Sequence, residues 1–262
     1  MTLLLVAHGT RDPAGAEVVG ALAAQVRTRL PGVRVAVAFA DVRGPNVTTA
    51  LRNARDPRVQ RPGPASPTLR TRESAVAAPV VVVPAFLAAG YHVRVDLPEQ
   101  VRRSGRPAVL TPCLGPALVE VAHARLVEAG WRRGDPVVFA AAGSSDPRAL
   151  AEVVEAAELL GASTGGPVRV GYAATARPRI GDVVAGVAGV AGVAGVGGVS
   201  GAGGRVAVAS WLLAPGRFQR VLAASGAAVV AEPLGAHPLV ADLVVRRYRA
   251  GIIDGATTLV GA

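Results

Sequence analysis

Lysine is absent. All 28 basic residues are arginine, so no phosphate loop of the GxxxxGK[ST] type can exist in this chain. Cysteine occurs once, as Cys113. A single thiol excludes an intramolecular disulfide, a zinc ribbon, a cysteine-ligated cluster and a CxxCH haem attachment, and it fits a reducing compartment. Aromatic residues make up only 3%, so the core has to be filled by Ala, Val and Leu. The arginines also lack the interleaved rings on which nucleic-acid bases stack. No GxGxxG follows the first apolar run and no GxSxG is present, which removes the dinucleotide fingerprint and the nucleophile elbow. Acidic residues are few, 18 against 28 arginines, for a net charge of +10. That surplus has two readings. One is a bias toward Arg, Ala, Gly, Val and Pro along the whole chain. The other is an acidic partner, either nucleic acid or a small polycarboxylate or phosphate.

Long apolar runs are also missing. The nearest approach is the uncharged tract between Asp182 and Arg205, 22 residues of which nine are Gly and none is Leu, Ile or Phe. Its length matches a bilayer of about 30 Å, but it lacks the residues that insert strongly. The tract 183–204 therefore reads as a flexible low-complexity insertion, and no membrane association is expected. Met1-Thr2 leads directly into Leu3–Ala7 without a basic region, and His8 ends the run. No signal peptide is expected, and the expected location is cytoplasmic.

What the chain does contain is a run of short apolar segments with no polar alternation: Leu3–Ala7, Val33–Phe39, Val80–Pro84, Ala108–Leu110, Pro136–Ala141, Val168–Tyr172, Arg205–Ser210 and Ala227–Val230. Strands covered on both faces read this way. Amphipathic stretches lie between them. Ala14–Leu30 repeats Val18, Leu22, Val26 and Leu30, behind an Asp12-Pro13 start. Pro116–Ala129 and Pro147–Leu160 are similar. The alternation predicts an α/β fold with parallel sheets flanked by helices. Residues 53–78, dense in proline and arginine, read as a surface loop.

Three blocks then recur in the same order. AHGTRDP (Ala7–Pro13) matches AAGSSDP (Ala141–Pro147), PAFLAAGYH (Pro84–His92) matches SWLLAPGRF (Ser210–Phe218), and the run from Cys113 matches that from Pro233. A duplicated α/β unit is inferred, with domains at 1–132 and 133–262. The copies differ where chemistry would be expected. His8 faces Ala142 in the alignment and His92 faces Phe218. Two imidazoles lost together from one copy behave as a unit that only the other copy uses. Both follow strand ends, where open parallel sheets bind ligands, and so does Asp41. Two imidazoles and a carboxylate suit a divalent transition metal and also suit proton abstraction. Asp41 has a second reading as a cap for a helix over Pro45–Leu51, and Asp96 as a cap or brace beside His92. His123, inside an amphipathic stretch, and His237, before Pro238, read as structural.

Strand-AHGTRDP, FADVRGPNV from Phe39 and VVVVPAFLAAGYHVRVDLP from Val80 resemble the CbiX/SirB family of sirohydrochlorin chelatases, whose long form fuses two chelatase-like domains. The resemblance implies insertion of Fe2+ or Co2+ into sirohydrochlorin, in sirohaem, cobalamin and porphyrin biosynthesis. It implies His8 and His92 as metal ligands and catalytic residues, with Asp41 as a third catalytic residue standing where family members usually carry Glu. The degenerate second domain, carrying Ala142 and Phe218, would wall the cleft. The substrate's eight carboxylates would account for an arginine-rich cleft. Arg11, Arg94, Tyr91 and Thr10 are then the expected substrate-binding residues. No tightly bound cofactor is implied, since the metal is itself a substrate. A monomer or weak dimer is expected, with no nucleic-acid partner. A non-catalytic tetrapyrrole or metal carrier on the same fold is the alternative.

Overall fold

A computed structural model describes residues 1–54, 80–194 and 205–259. Its first half runs β1 (Thr2–Ala7), α1 (Pro13–Arg29), β2 (Arg34–Phe39), α2 (Val47–Asn53), β3 (Val80–Pro84), α3 (Leu97–Ser104), β4 (Ala108–Leu110) and α4 (Val119–Glu128). The second half repeats the pattern with β5 (Val137–Ala141), α5 (Pro147–Thr164), β6 (Val168–Tyr172), α6 (Ile180–Ala194), β7 (Ala207–Trp211), α7 (Arg217–Ala223), β8 (Val229–Val230) and α8 (Pro238–Leu259). Each half builds a four-stranded, wholly parallel sheet, ordered β2-β1-β3-β4 and β6-β5-β7-β8.

The absence of polar alternation in the strands has its cause in the layering. On β1, Leu3, Leu5 and Ala7 face one apolar cluster while Leu4 and Val6 face another. Period-two geometry sends neighbouring side chains to opposite faces, and both faces are covered. The outer face of the first sheet packs on Val47, Leu51 and Leu97 from α2 and α3. That of the second packs on Ile180, Val183, Val184 and Leu222 from α6 and α7.

The inner faces are covered by exchange. Helix α8, from the end of the chain, lies on β3 and β4 of the first sheet and against α1, whereas α4 lies on β7 of the second sheet and against α5. Close approach of α8 depends on small residues. A methyl group at Gly251 would come within 2.8 Å of Val81 and 2.9 Å of Thr111, and one at Gly255 within 2.8 Å of Val109. Arg29 on α1 and Asp242 on α8 close the same contact with an ion pair of 2.7 Å. The largest core cluster consequently runs from Leu3 and Val83 through to Phe139 and Ala207 without interruption.

Local signals place the helices. The Asp12 carboxylate accepts from the Ala14 N–H, Pro13 opens α1, and Arg27 and Arg29 close it. Its buried stripe is Val19, Leu22, Ala23 and Val26. The expected stripe of Val18, Leu22, Val26 and Leu30 had a strict spacing of four, which drifts off a face that turns every 3.6 residues.

Two expectations are corrected. Residues 180–194 form helix α6 and not a flexible insertion. Glycines cost about 1 kcal/mol each in a helix interior, but Ile180, Val183, Val184 and Val187 recur at helical spacing and bury themselves on the second sheet, and that packing decides the outcome. The remainder of the tract, 195–204, lies outside the described residues. So does nearly all of the loop expected over 53–78, except that Asn53 closes α2. The second correction concerns Asp41. Helix α2 is capped by Asn46, whose side chain accepts from the Thr49 N–H at 2.8 Å.

Candidate active site

The site begins with a glycine. Gly9 has φ +99°, and a β-carbon there would lie 2.1 Å from the carbonyl oxygen of Asp41. Only glycine lets the loop after β2 fold so tightly over the end of β1. The loop is then pinned by the Asp41 N–H donating to the His8 carbonyl at 2.9 Å. This holds His8 at the carboxyl edge of the first sheet. The loop after β3 is fixed from both sides, by the Ala85 N–H on the Val6 carbonyl and the Ala89 N–H on Glu152 of α5, each at 2.7 Å. It delivers His92 into a single π-helical turn, His92–Asp96, that runs into α3.

The two imidazoles meet. Their ring centroids are 4.6 Å apart and the planes cross at 78°. Phe86 lies 6.1 Å from His8 and 6.5 Å from His92, and Tyr91 lies 5.9 Å from His92. The Nδ1 of His8 stands 3.2 Å from the Gly9 carbonyl, and that of His92 stands 3.0 Å from Asp96 Oδ2. Both partners only accept, so each neutral ring carries its proton on Nδ1 and keeps an open lone pair on Nε2. Desolvation, and then the neighbouring His92, lower the proton affinity of His8 below its ordinary value of 6.5. His8 is thus held neutral at physiological pH.

Behind His92 lies a chain of hydrogen bonds. Asp96 takes the ring proton on Oδ2, and its Oδ1 accepts from Gln100 Nε2 at 3.0 Å. Gln100 also donates to the Ala40 carbonyl at 3.2 Å and accepts from the Val47 N–H at 3.1 Å. This one side chain ties the helix that carries His92 to the loop that carries Asp41. Asp96 is therefore a brace, and no capping bond is formed by its side chain. The signal for the chain was available in the sequence, because His92, Asp96 and Gln100 recur at i, i+4 and i+8. Gln100 itself was not anticipated, nor was Glu152.

Both rings open onto a cavity of about 850 Å³ between the two halves. That is at the upper end for small-molecule sites and far larger than a metal ion needs. Its first-half wall carries His8, Thr10, Arg11, Phe86, Tyr91 and His92, and its second-half wall Ala142, Ser144, Trp211, Leu212, Arg217 and Phe218. Asp41 lies beside the pair without joining it. Its carboxylate turns onto the Val42 N–H at 2.7 Å, although its charge is close enough to favour protonated His8. Among the described residues, no group of three or more His, Cys, Asp or Glu side chains forms a metal-binding cluster. The imidazoles stand as a two-donor arrangement.

Arg94 is not among the cavity-lining residues. In place of a substrate contact it donates to Glu152 Oε1 at 2.8 Å and to the Ala89 carbonyl at 2.6 Å, and it lies 3.5 Å from Asp146. Arg220, its counterpart in the repeat, donates to Asp12 at 2.7 Å. The Thr10 hydroxyl oxygen accepts from the Asp12 N–H, as Ser144 does from Asp146. His123 stacks edge-on against Trp131 at 5.8 Å, and His237 accepts the Leu239 N–H at the start of α8. Both are distant from the cavity wall. No described helix is long and apolar enough to cross a membrane.

The CbiX family model matches residues 2–62, 64–129 and 136–250. Among solved structures the chain is similar to SirB from Bacillus subtilis with Fe3+, at 19% identity and a TM-score of 0.71 over 95% of this chain and 94% of that one. It is also similar to the sirohydrochlorin chelatase SirB from Bacillus subtilis subspecies spizizenii in complex with cobalt, at 18% identity and a TM-score of 0.67 over 95% and 94%. A third similar structure is CbiX, described as the terminal enzyme for biosynthesis of siroheme in denitrifying bacteria, at 20% identity and a TM-score of 0.63 over 95% and 99%. No curated protein matches the chain. With the family model matched across both halves, and the duplicated sheets facing each other across one cavity, the chain belongs to the CbiX family.

Proposed function

We propose that this protein is a sirohydrochlorin chelatase, inserting Fe2+ or Co2+ into the macrocycle with His8 and His92 as the metal-handling pair. The observation that carries the reading is the pair itself: two neutral imidazoles 4.6 Å apart, each with Nε2 unoccupied, on the wall of a cavity large enough for a tetrapyrrole.

The donor count fits a metal that must be passed on. Structural sites close four ligands around their ion. Two imidazoles leave the remaining positions to water and then to the pyrrole nitrogens, so the ion is held and oriented without being trapped. Insertion exchanges two pyrrole N–H protons for one divalent ion, forming metal–nitrogen bonds and releasing two protons with no change in oxidation state. Asp41, exposed and electrostatically coupled to His8, accepts protons leaving the site and passes them to solvent. Asp96 fixes the orientation and tautomer of His92, the usual part of a carboxylate behind a ligating imidazole. Arg11 and Tyr91 meet the substrate from the first half. Thr10 shapes the turn that presents Arg11, and Arg94 holds the cavity walls together. The apolar face of Trp211, Leu212 and Phe218 gives the macrocycle a second wall. Imidazole donors suit iron and cobalt alike, in keeping with solved relatives that hold Fe3+ or cobalt. The product enters sirohaem synthesis with iron and cobalamin synthesis with cobalt.

The test is anaerobic incubation of the purified protein with sirohydrochlorin and either ion, following the absorbance change on metallation. Turnover that His8→Ala and His92→Ala each reduce to the uncatalysed background is expected. Wild-type rates in both variants would overturn the reading, and tight retention of metallated product without turnover would replace it with a carrier.

A further inference from the structure

The duplication gives each cavity position a twin, and the arginines divide accordingly. Arg94 and Arg220 are twins, and both are paired across the seam between the halves, with Glu152 and with Asp12. They hold the walls together. Arg11 and Arg217 line the cavity and are exposed, and among the described residues neither has a hydrogen-bond or ion-pair partner. Their twins are Ser145 and Tyr91, which carry no charge and also line the cavity.

The two seams of the cavity are therefore unequal. Gly216 packs on Thr10, where an added β-carbon would lie 3.1 Å from the threonine Oγ1. Arg11 and Arg217 are the next residues along from these two, so they flank one seam. Gly90 packs on Ser144 in the same way, at 3.1 Å, and the residues beside that seam are Tyr91 and Ser145. One edge of the cavity carries two unpaired guanidinium groups, and the opposite edge carries a phenol and a hydroxyl.

We infer that Arg11 and Arg217 together form an anion-binding edge that takes neighbouring carboxylates from one side of the macrocycle and so fixes its orientation over the imidazole pair. Two like charges held beside one seam repel until an anion lies between them, and a guanidinium matches a carboxylate through two parallel N–H donors. The opposite edge offers only neutral hydroxyl groups, so a polycarboxylate gains more at one rim than at the other. This inference rests on the tetrapyrrole reading of the same cavity, and it adds Arg217, a second-half residue, to the substrate-binding set.

The experiment uses the full chain with two probes: metal-free uroporphyrin, an octacarboxylate bound without turnover and followed by fluorescence, and sirohydrochlorin metallation followed by absorbance. Arg11→Gln and Arg217→Gln are each expected to weaken uroporphyrin binding by roughly tenfold, the loss of one charge-assisted contact. The double variant should weaken it further and make it less sensitive to salt. In metallation the loss should fall on KM, with kcat within about threefold of wild type. Arg217→Lys, which keeps the charge without the fork, should fall between. Arg169→Gln, an exposed charge removed from β6 away from the cavity, should change neither probe. Affinity in the double variant within twofold of wild type, or an equal loss in Arg169→Gln, would overturn the inference. Salt-sensitive uroporphyrin binding that depends on Arg11 and Arg217 but comes with no metallation would uphold the edge and remove the chelatase reading. Failure of the wild type to bind either tetrapyrrole would overturn both.

Discussion

The first and second halves share a turn and differ in what it carries. Gly9 and Gly143 have φ of +99° and +97°, and a β-carbon at either would lie 2.1 Å from a carbonyl oxygen, of Asp41 or of Ala174. Val42 and Thr175 both sit in the left-handed region, at φ 66° and 55°. Strain at a β-branched residue beside a candidate catalytic loop invites a functional explanation. Its presence in the half without imidazoles says otherwise, because the strain belongs to the architecture of the turn. What distinguishes the halves is side chains alone: His8 against Ala142, His92 against Phe218, Asp41 against Ala174 and Asp96 against Leu222. Duplication thus separates what holds the cavity open from what acts inside it.

The sharpest test removes the difference. Replacing His8 or His92 with Ala should lower the metallation rate by about 10²–10⁴, the range of a positioned acid–base group, as read from the absorbance change. The reverse construction is as informative. Ala142→His with Phe218→His, placed in a chain lacking His8 and His92, should not restore the rate. Leu222 stands where Asp96 would orient the grafted ring, and Gly226 stands where Gln100 would hold that carboxylate. Recovery of activity would mean that the second half is only one step from competence.

Next come the glycines, where the halves should behave alike. Gly9→Ala and Gly143→Ala each force a left-handed alanine against a backbone carbonyl, with an expected cost of about 2–3 kcal/mol in urea unfolding. Only Gly9→Ala should also slow metallation, since it displaces His8 and the Asp41 loop together. Because one core cluster runs through both halves and the last helix of each lies on the other's sheet, either substitution should shift a single unfolding transition. Two separate transitions would contradict that packing.

A smaller effect is expected behind His92. Asp96→Asn should reduce activity by about 10–100-fold, the usual cost of disturbing the partner of a ligating imidazole, with the fold intact. The pH profile carries a related signature. Desolvation and His92 hold the His8 proton affinity below 6.5. The ligand form is the neutral ring, so kcat/KM should rise with pH through an inflection below 6.5 and then level off. Stability moves in the same direction. The unfolded chain takes up the His8 proton near 6.5 while the folded one resists, so this contribution is present above 6.5 and is lost as pH falls toward the folded value.

How much of this was legible beforehand follows from where the information sits. The parallel sheets were readable because strands covered on both faces lose polar alternation, and Val80–Pro84, Ala108–Leu110 and Val168–Tyr172 fall at the expected residues. His8 and His92 were readable because a degenerate copy stood beside them for comparison. Helix α6 was not, since its glycines argue against a helix and only burial of Val183, Val184 and Val187 on a distant sheet reverses that. The crossing of α4 and α8 leaves no local trace either, because an apolar face does not encode which sheet it will cover. Arg94 shows the same limit. Beside His92 in sequence it reads as a substrate contact, yet its partners lie on α5, 58 residues away.

The weakest expected effect concerns the two clasps. Arg220 pairs with Asp12 while remaining 69% exposed, and a solvated pair of this kind contributes about 0–1 kcal/mol. Arg220→Gln should therefore leave the urea midpoint nearly unchanged. Arg94→Gln should cost more, although it is the repeat twin. Its guanidinium also holds the Ala89 carbonyl, and Glu152 binds both Arg94 and the Ala89 N–H, so its loss frees the loop that delivers His92. Measured side by side, the Arg94 variant should show the larger loss of stability together with a slower metallation step, and the Arg220 variant neither. Equal effects in the two would mean that the clasps act only as a symmetric seam, and that the loop after β3 is positioned by its backbone bonds to Val6 and to Leu114 through the Phe86 carbonyl.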